Sequence, residues 1–168
     1  FIDESQRVHV SDIGTRESIT SIARGEGANV SMLRLDSQFR CNGSDGYITW
    51  LRNLLGISNE PSIDGANFLY DFRVFDSPNE LHEAIFDKNK LSGKARVVAG
   101  YCWNWPTDSK HNPDSLDVII PEHDYAKSWN LASGDHWAIA EDSVDQIGCI
   151  HTSQGLEFDY VGVIVGPD

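Results

Sequence analysis

The sequence predicts an α/β fold in which helices cover both faces of a mostly parallel sheet, a three-layer α/β/α sandwich. Between residues 30 and 100, short and strongly apolar segments alternate with segments of helical periodicity, which is typical of βαβ units. Strands buried on both faces read as nearly continuous apolar runs. The stretch 101–146 breaks the alternation because it is irregular and rich in Trp, His, Pro and Asp, and we expect it to be an insertion carried on the sheet.

The first half of the chain is predicted to contain two helices and two strands. Apolar residues recur at helical spacing in two segments, and glycines after them favour helix ends. Two further segments alternate apolar and polar residues, as strands do. In chain order, these elements are a helix at 15–24, a strand at 30–35, a helix at 47–55 and a strand at 70–75.

The second half begins with a strong helix signal. Ser77 is a predicted N-cap, Pro78 suits the first helical position, and Glu80 stands where a capping box requires an acidic residue. Gly93 is expected to end this helix. Four strands are predicted after it, at 95–99, 118–120, 147–150 and 160–165, with a turn or short helix at 153–157. The last of these strands is expected to be buried.

Length and composition limit the classes of function. A chain of 168 residues, 40% of them apolar, suits one domain with a sizeable core. The net charge of −13 excludes a broad basic face, so any contact with nucleic acid must be local, and solubility alone also explains this charge. No apolar run approaches the roughly 18 residues that span a bilayer, so no membrane association is expected.

The cysteines and the two ends of the chain carry further expectations. The three cysteines are odd in number, far apart and without metal-site spacing, which favours buried thiols in a reducing cytoplasm. No basic and apolar leader begins the chain. It starts at Phe1 and Ile2 inside an apolar run and ends near another, which predicts a piece cut from a longer protein.

The strongest chemical signal lies near the C-terminus, where one predicted strand leads into a polar turn, an acidic residue and a second strand. A turn at the carboxyl end of a strand is where open α/β sheets bind ligands. Gly155 allows close approach of a ligand to the backbone, while Thr152 and Ser153 offer hydrogen-bond donors. Glu157 can accept a hydrogen bond from a sugar hydroxyl. An ordinary polar strand-to-helix turn is the alternative.

The same segment closely resembles motif V of superfamily-one helicases, a His-x-x-(Lys/Gln)-Gly-x-Glu run before an apolar strand. The matching residues are His151, Gln154, Gly155 and Glu157. In that family the motif lies between the ATP site and the nucleic-acid track. The resemblance implies that Glu157 faces the nucleotide ribose and that Gly155 lies near the phosphates. It also implies that His151 and Thr152, with Ser153 beside them, face a nucleic-acid backbone.

A second segment resembles helicase motif IV, Leu-x-x-Gln-Tyr-Arg, and its matching residues are Gln38, Phe39 and Arg40. A guanidinium can reach a phosphate with a planar fork that is always charged. By the resemblance, Arg40 is catalytic, as an arginine finger that stabilises charge on the γ-phosphoryl group, and Gln38 helps to bind the nucleotide. Without the resemblance, Arg40 suits a surface ion pair equally well.

Competing interpretations exist for the start of the chain. Asp3 and Glu4 suit a magnesium-binding Walker B pair, or an exposed acidic strand end. Alternatively, Asp3-x-x-Gln6 resembles helicase motif III, Gly-Asp-x-x-Gln, with Ile2 in place of the usual Gly. In that superfamily motif III precedes the Gln-Tyr-Arg run by a few tens of residues with one helix between, which favours motif III here. It implies that Gln6 is catalytic, as a γ-phosphate sensor, and that Asp3 binds the nucleotide.

Over nearly its whole length the chain resembles the C-terminal part of a bacterial and archaeal family of helicase-like ATPases, relatives of the helicase-like region of Schlafen proteins. The segments that carry this likeness are 38–43, 71–76, 99–103 and 155–162. The resemblance implies a RecA-like fold of the P-loop NTPase type. It divides the chain into the tail of a missing first motor domain at 1–7, a linker and helix at 8–29, and the second RecA-like domain at 30–168.

This resemblance implies a fragment of an ATP-dependent DNA or RNA helicase or translocase. In the full-length protein, ATP and Mg²⁺ would bind between this domain and a first motor domain in cis, beside a track for single-stranded DNA or RNA. The fragment alone is expected to be inactive and to hold no cofactor, because it contains no Gly-x-x-x-x-Gly-Lys-Ser/Thr. The alternatives are a catalytically inactive helicase-like interaction module with protein partners, and an NTPase that does not act on nucleic acid.

The insertion carries an aromatic cluster, Tyr101, Trp103 and Trp105, after a predicted strand. Such a cluster can stack the bases of a single strand, but packing within an irregular insertion is the favoured interpretation. Trp129 and Trp137 are predicted to pack within a hairpin or a lid. The His, Asp and Glu residues of the insertion are too loosely spaced for a metal site, and none is expected.

Overall fold

The computed structural model describes residues 14–34, 45–59, 70–108, 110, 112, 114–131 and 136–166. The chain divides into two compact units between Arg73 and Val74. We describe each unit by itself. No helix formed by the described residues has the length and apolar character that a bilayer span requires.

The first unit contains the two predicted helices, which the structure confirms as α1, Arg16–Gly25, and α2, Asp45–Leu54. Thr15 is the N-cap of α1, and its side-chain oxygen accepts a hydrogen bond of 3.1 Å from the backbone N–H of Ser18. This bond satisfies one of the backbone donors that a helix start leaves free. The ends of α1 therefore follow from local sequence.

The two strands predicted for this unit are wrong wherever the structure describes them, because residues 30–34 and 70–75 form no strand. Alternation makes a strand only where a partner strand is available. In the second segment the aromatic residues pack on α2 instead. Tyr70 stacks on Tyr47 with ring centroids 3.9 Å apart, and Phe72 meets Trp50 edge-on at 4.8 Å.

The second unit opens with α3, Pro78–Ser92, as the capping pattern predicts. The side chain of Ser77 accepts a hydrogen bond of 3.2 Å from the backbone N–H of Asn79. Pro78 occupies the first turn, where its missing N–H costs nothing, and Gly93 ends the helix in the left-handed conformation. The helix buries His82 and Ile85, so one face of α3 belongs to the core.

A short parallel sheet forms the centre of this unit. Its strands are β1, Ala95–Ala99; β4, Ile147–Gly148; and β5, Tyr160–Ile164, in the order β4-β1-β5. Val97 of β1 pairs with Ile147 on one side and with Gly162 on the other. The structure therefore confirms an α/β fold with a parallel sheet, while its RecA-like form stays a prediction.

Between β1 and β4 the insertion forms an antiparallel hairpin of β2, Val118–Ile120, and β3, Tyr125–Lys127. A 3₁₀ turn over Glu141–Asp145 follows it. The predicted strand at 147–150 is confirmed only at its start, because α4, Ile150–Ser153, begins there. The polar turn after β4 is thus helical three residues earlier than expected.

The two faces of the sheet are covered differently. On one face α3 lies against β1 and β5, with Leu81 and Ile85 packed on Gly162. On the opposite face Trp137 lies so close to Gly148 that a Cβ there would be 2.3 Å from the indole Cη2. Trp137 is fully buried, which confirms its predicted packing role.

Strand β5 was predicted to be buried, but the structure buries only one of its faces. Gly162 and Ile164 are buried, but Val161 and Val163 are 44% and 58% exposed. The reason is position: among the described residues β5 is an end strand, and α3 covers only one of its faces. A continuous apolar run did not distinguish this one-sided burial from burial on both faces.

Hydrogen bonds from the side chain of Arg96 in β1 connect the insertion to the sheet. Its guanidinium is buried and donates to the side-chain oxygens of Asn89, at 2.6 Å, and Ser143, at 2.8 Å. It also donates to the carbonyl oxygens of Ala140, at 2.8 Å, and Trp137, at 3.3 Å. Burial lowers the pKa of Arg96, and within the described part of the chain no carboxylate is paired with it.

Candidate functional site

The carboxyl ends of the three parallel strands meet at one edge of the sheet. Strand β1 leads to Tyr101, β4 leads through Cys149 into α4, and β5 leads to Gly166. A Cβ at Gly166 would lie 2.6 Å from Cβ of Cys102 and 2.7 Å from the ring of Trp103, so the segment after β1 packs on the end of β5. This edge is where open α/β sheets place ligands.

Helix α4 holds its residues at this edge through short-range bonds around Cys149. The backbone N–H groups of Thr152 and Ser153 donate to the carbonyl oxygen of Cys149 at 3.1 and 3.0 Å. The hydroxyl of Ser153 donates to the same oxygen at 2.9 Å. The backbone N–H of Cys149 in turn donates to the side-chain oxygen of Asn130 at 3.3 Å, which connects α4 to the insertion.

The thiol of Cys149 is buried and lies within a set of hydroxyl groups. Its sulfur is 3.1 Å from the hydroxyl oxygen of Thr152. Burial raises the pKa of the thiol, but interactions with Thr152, with Tyr101 and with nearby backbone N–H groups outweigh burial, and the net pKa is lowered. Burial and the Cys149 thiol raise the pKa of Tyr101, so its phenol stays neutral.

An open cleft of about 470 Å³ lies at this edge. The residues that line it are Tyr101, Trp103, Asn104, Trp105, Lys110 and His151. The fully buried Trp129 supports two of the rings, with its centroid 5.8 Å from that of Tyr101 and 5.9 Å from that of Trp105. The indole N–H of Trp103 donates to the carbonyl oxygen of Ile119 at 2.9 Å, which fixes this ring against the hairpin.

Of the three residues predicted to face nucleic acid, His151 alone presents its side chain to the cleft. It is exposed, and its ring centroid lies 5.9 Å from that of Tyr101. Thr152 is buried with its hydroxyl on Cys149, and the Ser153 hydroxyl is bonded within its own helical turn. The hydroxyls of Thr152 and Ser153 therefore serve the fold of the turn in this structure.

Two of the four residues predicted to bind the nucleotide, Gly155 and Glu157, lie on the return from α4 to β5. Gly155 has φ +83°, a conformation that favours glycine, and open space surrounds the position of a Cβ. Glu157 is exposed, and no hydrogen bond or ion pair of the described residues involves its carboxylate. Two residues later the backbone N–H of Asp159 donates to the carbonyl oxygen of Lys94 at 2.9 Å, beside the start of β1.

The other predicted site residues lie outside the described residues; they are Asp3, Gln6, Gln38 and Arg40. Among the residues that the structure does describe, no group of His, Cys, Asp and Glu side chains could hold a metal ion. Cys102 is exposed, so the expectation of buried thiols is confirmed for Cys149 and wrong for Cys102.

A second cavity, of about 410 Å³, lies between the end of α3 and the 3₁₀ turn, against Arg96 and Lys90. Four protein groups besides its own strand already accept hydrogen bonds from Arg96, so we interpret this cavity as an imperfection of packing. This cavity also lies away from the carboxyl edge of the sheet, because Arg96 is near the start of β1.

Three features of the site escaped prediction from the sequence. Lys110 reaches the ring of Trp105, with Nζ 5.1 Å from its centroid. Trp129 contacts two of the aromatic rings, and the Tyr101 hydroxyl and the Cys149 thiol influence each other's pKa. The only signal available was that the aromatic cluster and the polar turn each follow a strand, which puts both at one edge of a parallel sheet.

Comparison with known proteins agrees with the resemblance seen in the sequence. The family model described as "Schlafen group 3, DNA/RNA helicase domain" matches residues 1–168. An uncharacterized protein of Saccharomyces cerevisiae is 24% identical over 148 residues, which cover 79% of this chain and 31% of the yeast protein. The chain thus spans less than a third of the length of this relative. No solved structure matches the chain.

Proposed function

The chain belongs to the Schlafen group 3 DNA/RNA helicase domain family, and from this premise we propose that it is the second motor domain of an ATP-dependent helicase or translocase. The family indicates a helicase-related function. The proposal adds that the chain supplies one side of an ATP site, completed by a first motor domain in cis. It also adds that the chain supplies part of a track for single-stranded DNA or RNA.

One observation carries this proposal: the turn that resembles motif V leaves β4 at the carboxyl edge of the sheet and presents His151 to an open cleft. Parallel sheets bind ligands at this edge because the loops there are free to vary while the strands hold them in place. A turn that only connected two strands would need neither an exposed histidine nor a cleft beside it.

Nucleotide binding is assigned to the return segment, and the helicase resemblance alone adds residues from the start of the chain. Glu157 has a free, exposed carboxylate that suits a ribose hydroxyl, and Gly155 leaves the backbone open to approach. Arg40 and Gln6 are assigned to catalysis at the γ-phosphate, with Gln38 and Asp3 as nucleotide contacts. Mg²⁺ would neutralise phosphate charge, and we assign it to the first motor domain and the phosphates themselves.

Contact with nucleic acid is assigned to His151, through the sugar-phosphate backbone. A net charge of −13 repels polyphosphate, so binding depends on few groups at one place. Backbone contacts carry no base information, and a motor that moves along a strand requires such indifference to sequence. Loss of His151 should therefore weaken binding equally for all sequences.

The test is ATP hydrolysis by the full-length protein, with and without single-stranded DNA and RNA. We expect nucleic acid to stimulate hydrolysis, and His151→Ala to reduce the stimulation while leaving basal hydrolysis unchanged. His136→Ala is the matched control, because His136 is also exposed but does not line the cleft. Hydrolysis that no nucleic acid stimulates would contradict the proposal.

A second candidate, an interaction module without hydrolysis, is favoured by one observation. Val161 and Val163 of β5 and Val165 just after it are exposed apolar side chains, at 44%, 58% and 89% exposure. Apolar surface of this kind marks protein contacts more often than nucleic-acid contacts. Absence of any ATP hydrolysis by the full-length protein would favour this candidate over the motor domain.

A further inference from the structure

We propose that the cleft at the carboxyl edge stacks a nucleobase of the bound single strand against Trp105 and Tyr101, with Lys110 beside a neighbouring phosphate. This inference rests on the proposed nucleic-acid function and names the group through which bases are held. It gives a binding role to aromatic residues for which the sequence alone favours a packing role.

The two stacking rings are held in place before any ligand arrives. Trp129 is fully buried and lies under both, with centroid distances of 5.8 and 5.9 Å. The ring of Tyr101 also contacts that of His151, with centroids 5.9 Å apart, so it is packed from two sides. Rigid side chains lose little conformational entropy on binding, which makes them good platforms.

The part of the cluster that stays accessible is apolar. Tyr101 is 49% exposed and Trp105 is only partly buried, whereas Trp129 beside them is fully buried. Both rings therefore leave part of their surface open to the cleft that they line. Exposed aromatic faces that line a cleft suit the flat surface of a base, which every nucleotide presents.

The cleft also carries local positive charge in a strongly acidic protein. The Nζ of Lys110 lies 5.1 Å from the centroid of Trp105, and within the described residues no carboxylate pairs with Lys110. His151 lies on the other side, next to Tyr101. A base on the rings would place its own phosphates near these two groups, which is the arrangement of charge and stacking found in single-strand binders.

We assign the base to a strand and not to a free nucleotide. The cleft is open, so a chain can enter and leave it, and its volume of about 470 Å³ accommodates a base with its sugar. No residue that lines it is acidic, so no carboxylate is available there to accept from a free ribose. The exposed carboxylate of Glu157 lies on the return segment instead.

The test uses the full-length protein and two fluorescent oligonucleotides of equal length, one of deoxythymidine and one with the same sugar-phosphate backbone but no bases. We expect the wild-type protein to bind the base-containing strand about ten- to a hundredfold more tightly, since stacking contributes about 1–3 kcal/mol per base. Trp105→Leu should lose most of this preference, while Trp105→Phe should retain most of it. The baseless strand should bind Trp105→Leu and the wild type alike.

Tyr160→Leu is the matched control, because Tyr160 is also an exposed aromatic residue with a lysine, Lys88, over its ring, but it lies at the start of β5. Lys110→Gln should reduce the slope of log affinity against log salt by about 0.7, the value for one lost contact to a single strand. Thermal unfolding of each variant shows whether it is folded.

The outcomes separate this inference from the function on which it rests. If the wild type binds neither strand, the proposed function is wrong and the inference falls with it. If the wild type binds both strands equally, or Trp105→Leu weakens both equally while remaining folded, the inference alone is overturned. If Trp105→Leu does not fold, binding of the two oligonucleotides by the wild type and by Trp105→Phe is the test. Loss of the preference for the base-containing strand in either protein would overturn the inference.

Discussion

The imidazole Nε2 of His82 lies 3.0 Å from the carbonyl oxygen of Val144, so α3 is joined to the 3₁₀ turn of the insertion. A carbonyl oxygen only accepts, so Nε2 carries the proton, and Nδ1 accepts from the hydroxyl of Tyr125 at 2.8 Å. Burial lowers the pKa of His82, and the charge of Lys127 lowers it further; the Val144 carbonyl and Asp145 oppose this in part. The buried histidine is therefore neutral when the protein is folded.

We expect the free energy of unfolding to fall as the pH drops from about 7.5 to about 5.5. Above the ordinary His pKa near 6.5, His82 is neutral in both states and carries no pH dependence. Below it, the unfolded chain binds a proton that the folded chain does not, so stability is lost as the pH falls toward the lowered pKa. Urea unfolding at the two pH values measures this loss.

His82→Gln should remove much of this pH dependence and should cost about 1–3 kcal/mol at neutral pH, because buried partners are left unpaired. His123→Gln is the control, since His123 is exposed. An unchanged pH dependence in His82→Gln would show that other groups account for it.

Gly148→Ala should destabilise the second unit by about 1–3 kcal/mol or more, because the new methyl group has no space beneath Trp137. Gly100→Ala is a matched control, since a Cβ there would meet only Sγ of Cys102, at 3.8 Å. Urea midpoints compare the two variants. In a Trp137→Leu background the cost of Gly148→Ala should shrink, and equal costs in both backgrounds would refute the close contact as its cause.

Arg96→Met should cost about 3 kcal/mol or more, because it removes the hydrogen bonds that a buried, charged donor makes to Asn89, Trp137, Ala140 and Ser143. Arg96→Lys should rescue little of this loss, since a compact ammonium cannot reproduce the fork of a guanidinium. Arg73→Met is the control: its ion pair with Asp71 is exposed and should contribute less than about 1 kcal/mol. Equal stability of Arg96→Lys and the wild type, measured by urea unfolding, would contradict this account.

Glu157→Ala in the full-length protein should raise the KM for ATP about ten- to a hundredfold, the equivalent of one hydrogen bond to a charged group. The loss should be greater for ATP than for deoxy-ATP, so that the preference for ribose declines. Glu122→Ala is the control, because Glu122 is exposed at the turn after β2. An unchanged KM would remove Glu157 from the nucleotide site.

Arg40→Ala in the full-length protein should reduce kcat by about 10³-fold or more while nucleotide binding is largely preserved, which is the scale of arginine fingers. Arg24→Ala is a control with the same change of charge, because Arg24 is exposed in the last turn of α1. Single-turnover hydrolysis and equilibrium binding of a non-hydrolysable ATP analogue measure the two effects separately. A normal kcat would make Arg40 a structural or nucleic-acid residue.

Elements with local signals were predictable from the sequence. The cap at Ser77 and the end at Gly93 fixed α3 to within a residue, and the apolar run before Gly100 located β1. These signals depend on neighbours in the chain, so no knowledge of tertiary contacts was needed. The turn after β4 was located for the same reason, although its helical start was not.

Partners distant in the chain were not predictable. The alternation at 70–75 looks the same whether its aromatic residues meet a strand or a helix, and here Tyr70 meets Tyr47 of α2. Likewise nothing local indicates that Trp129 lies under Tyr101, or that Arg96 serves the loop around Ser143. Such contacts depend on how the whole chain folds, and these long-range contacts decide the shape of the cleft.

The strand order has a consequence for the nascent chain. Val97 lies in the central strand, yet its partners Ile147 and Gly162 are synthesised much later, after the whole insertion. On the ribosome, β1 therefore has no partner strand until β4 emerges, and its other edge stays unpaired until β5 follows. Strand pairing over such sequence separations is slow, and apolar surface that can aggregate stays exposed until it is complete. Completion of the sheet is thus a late event of synthesis, and a pause before β5 would lengthen the period in which the chain can aggregate.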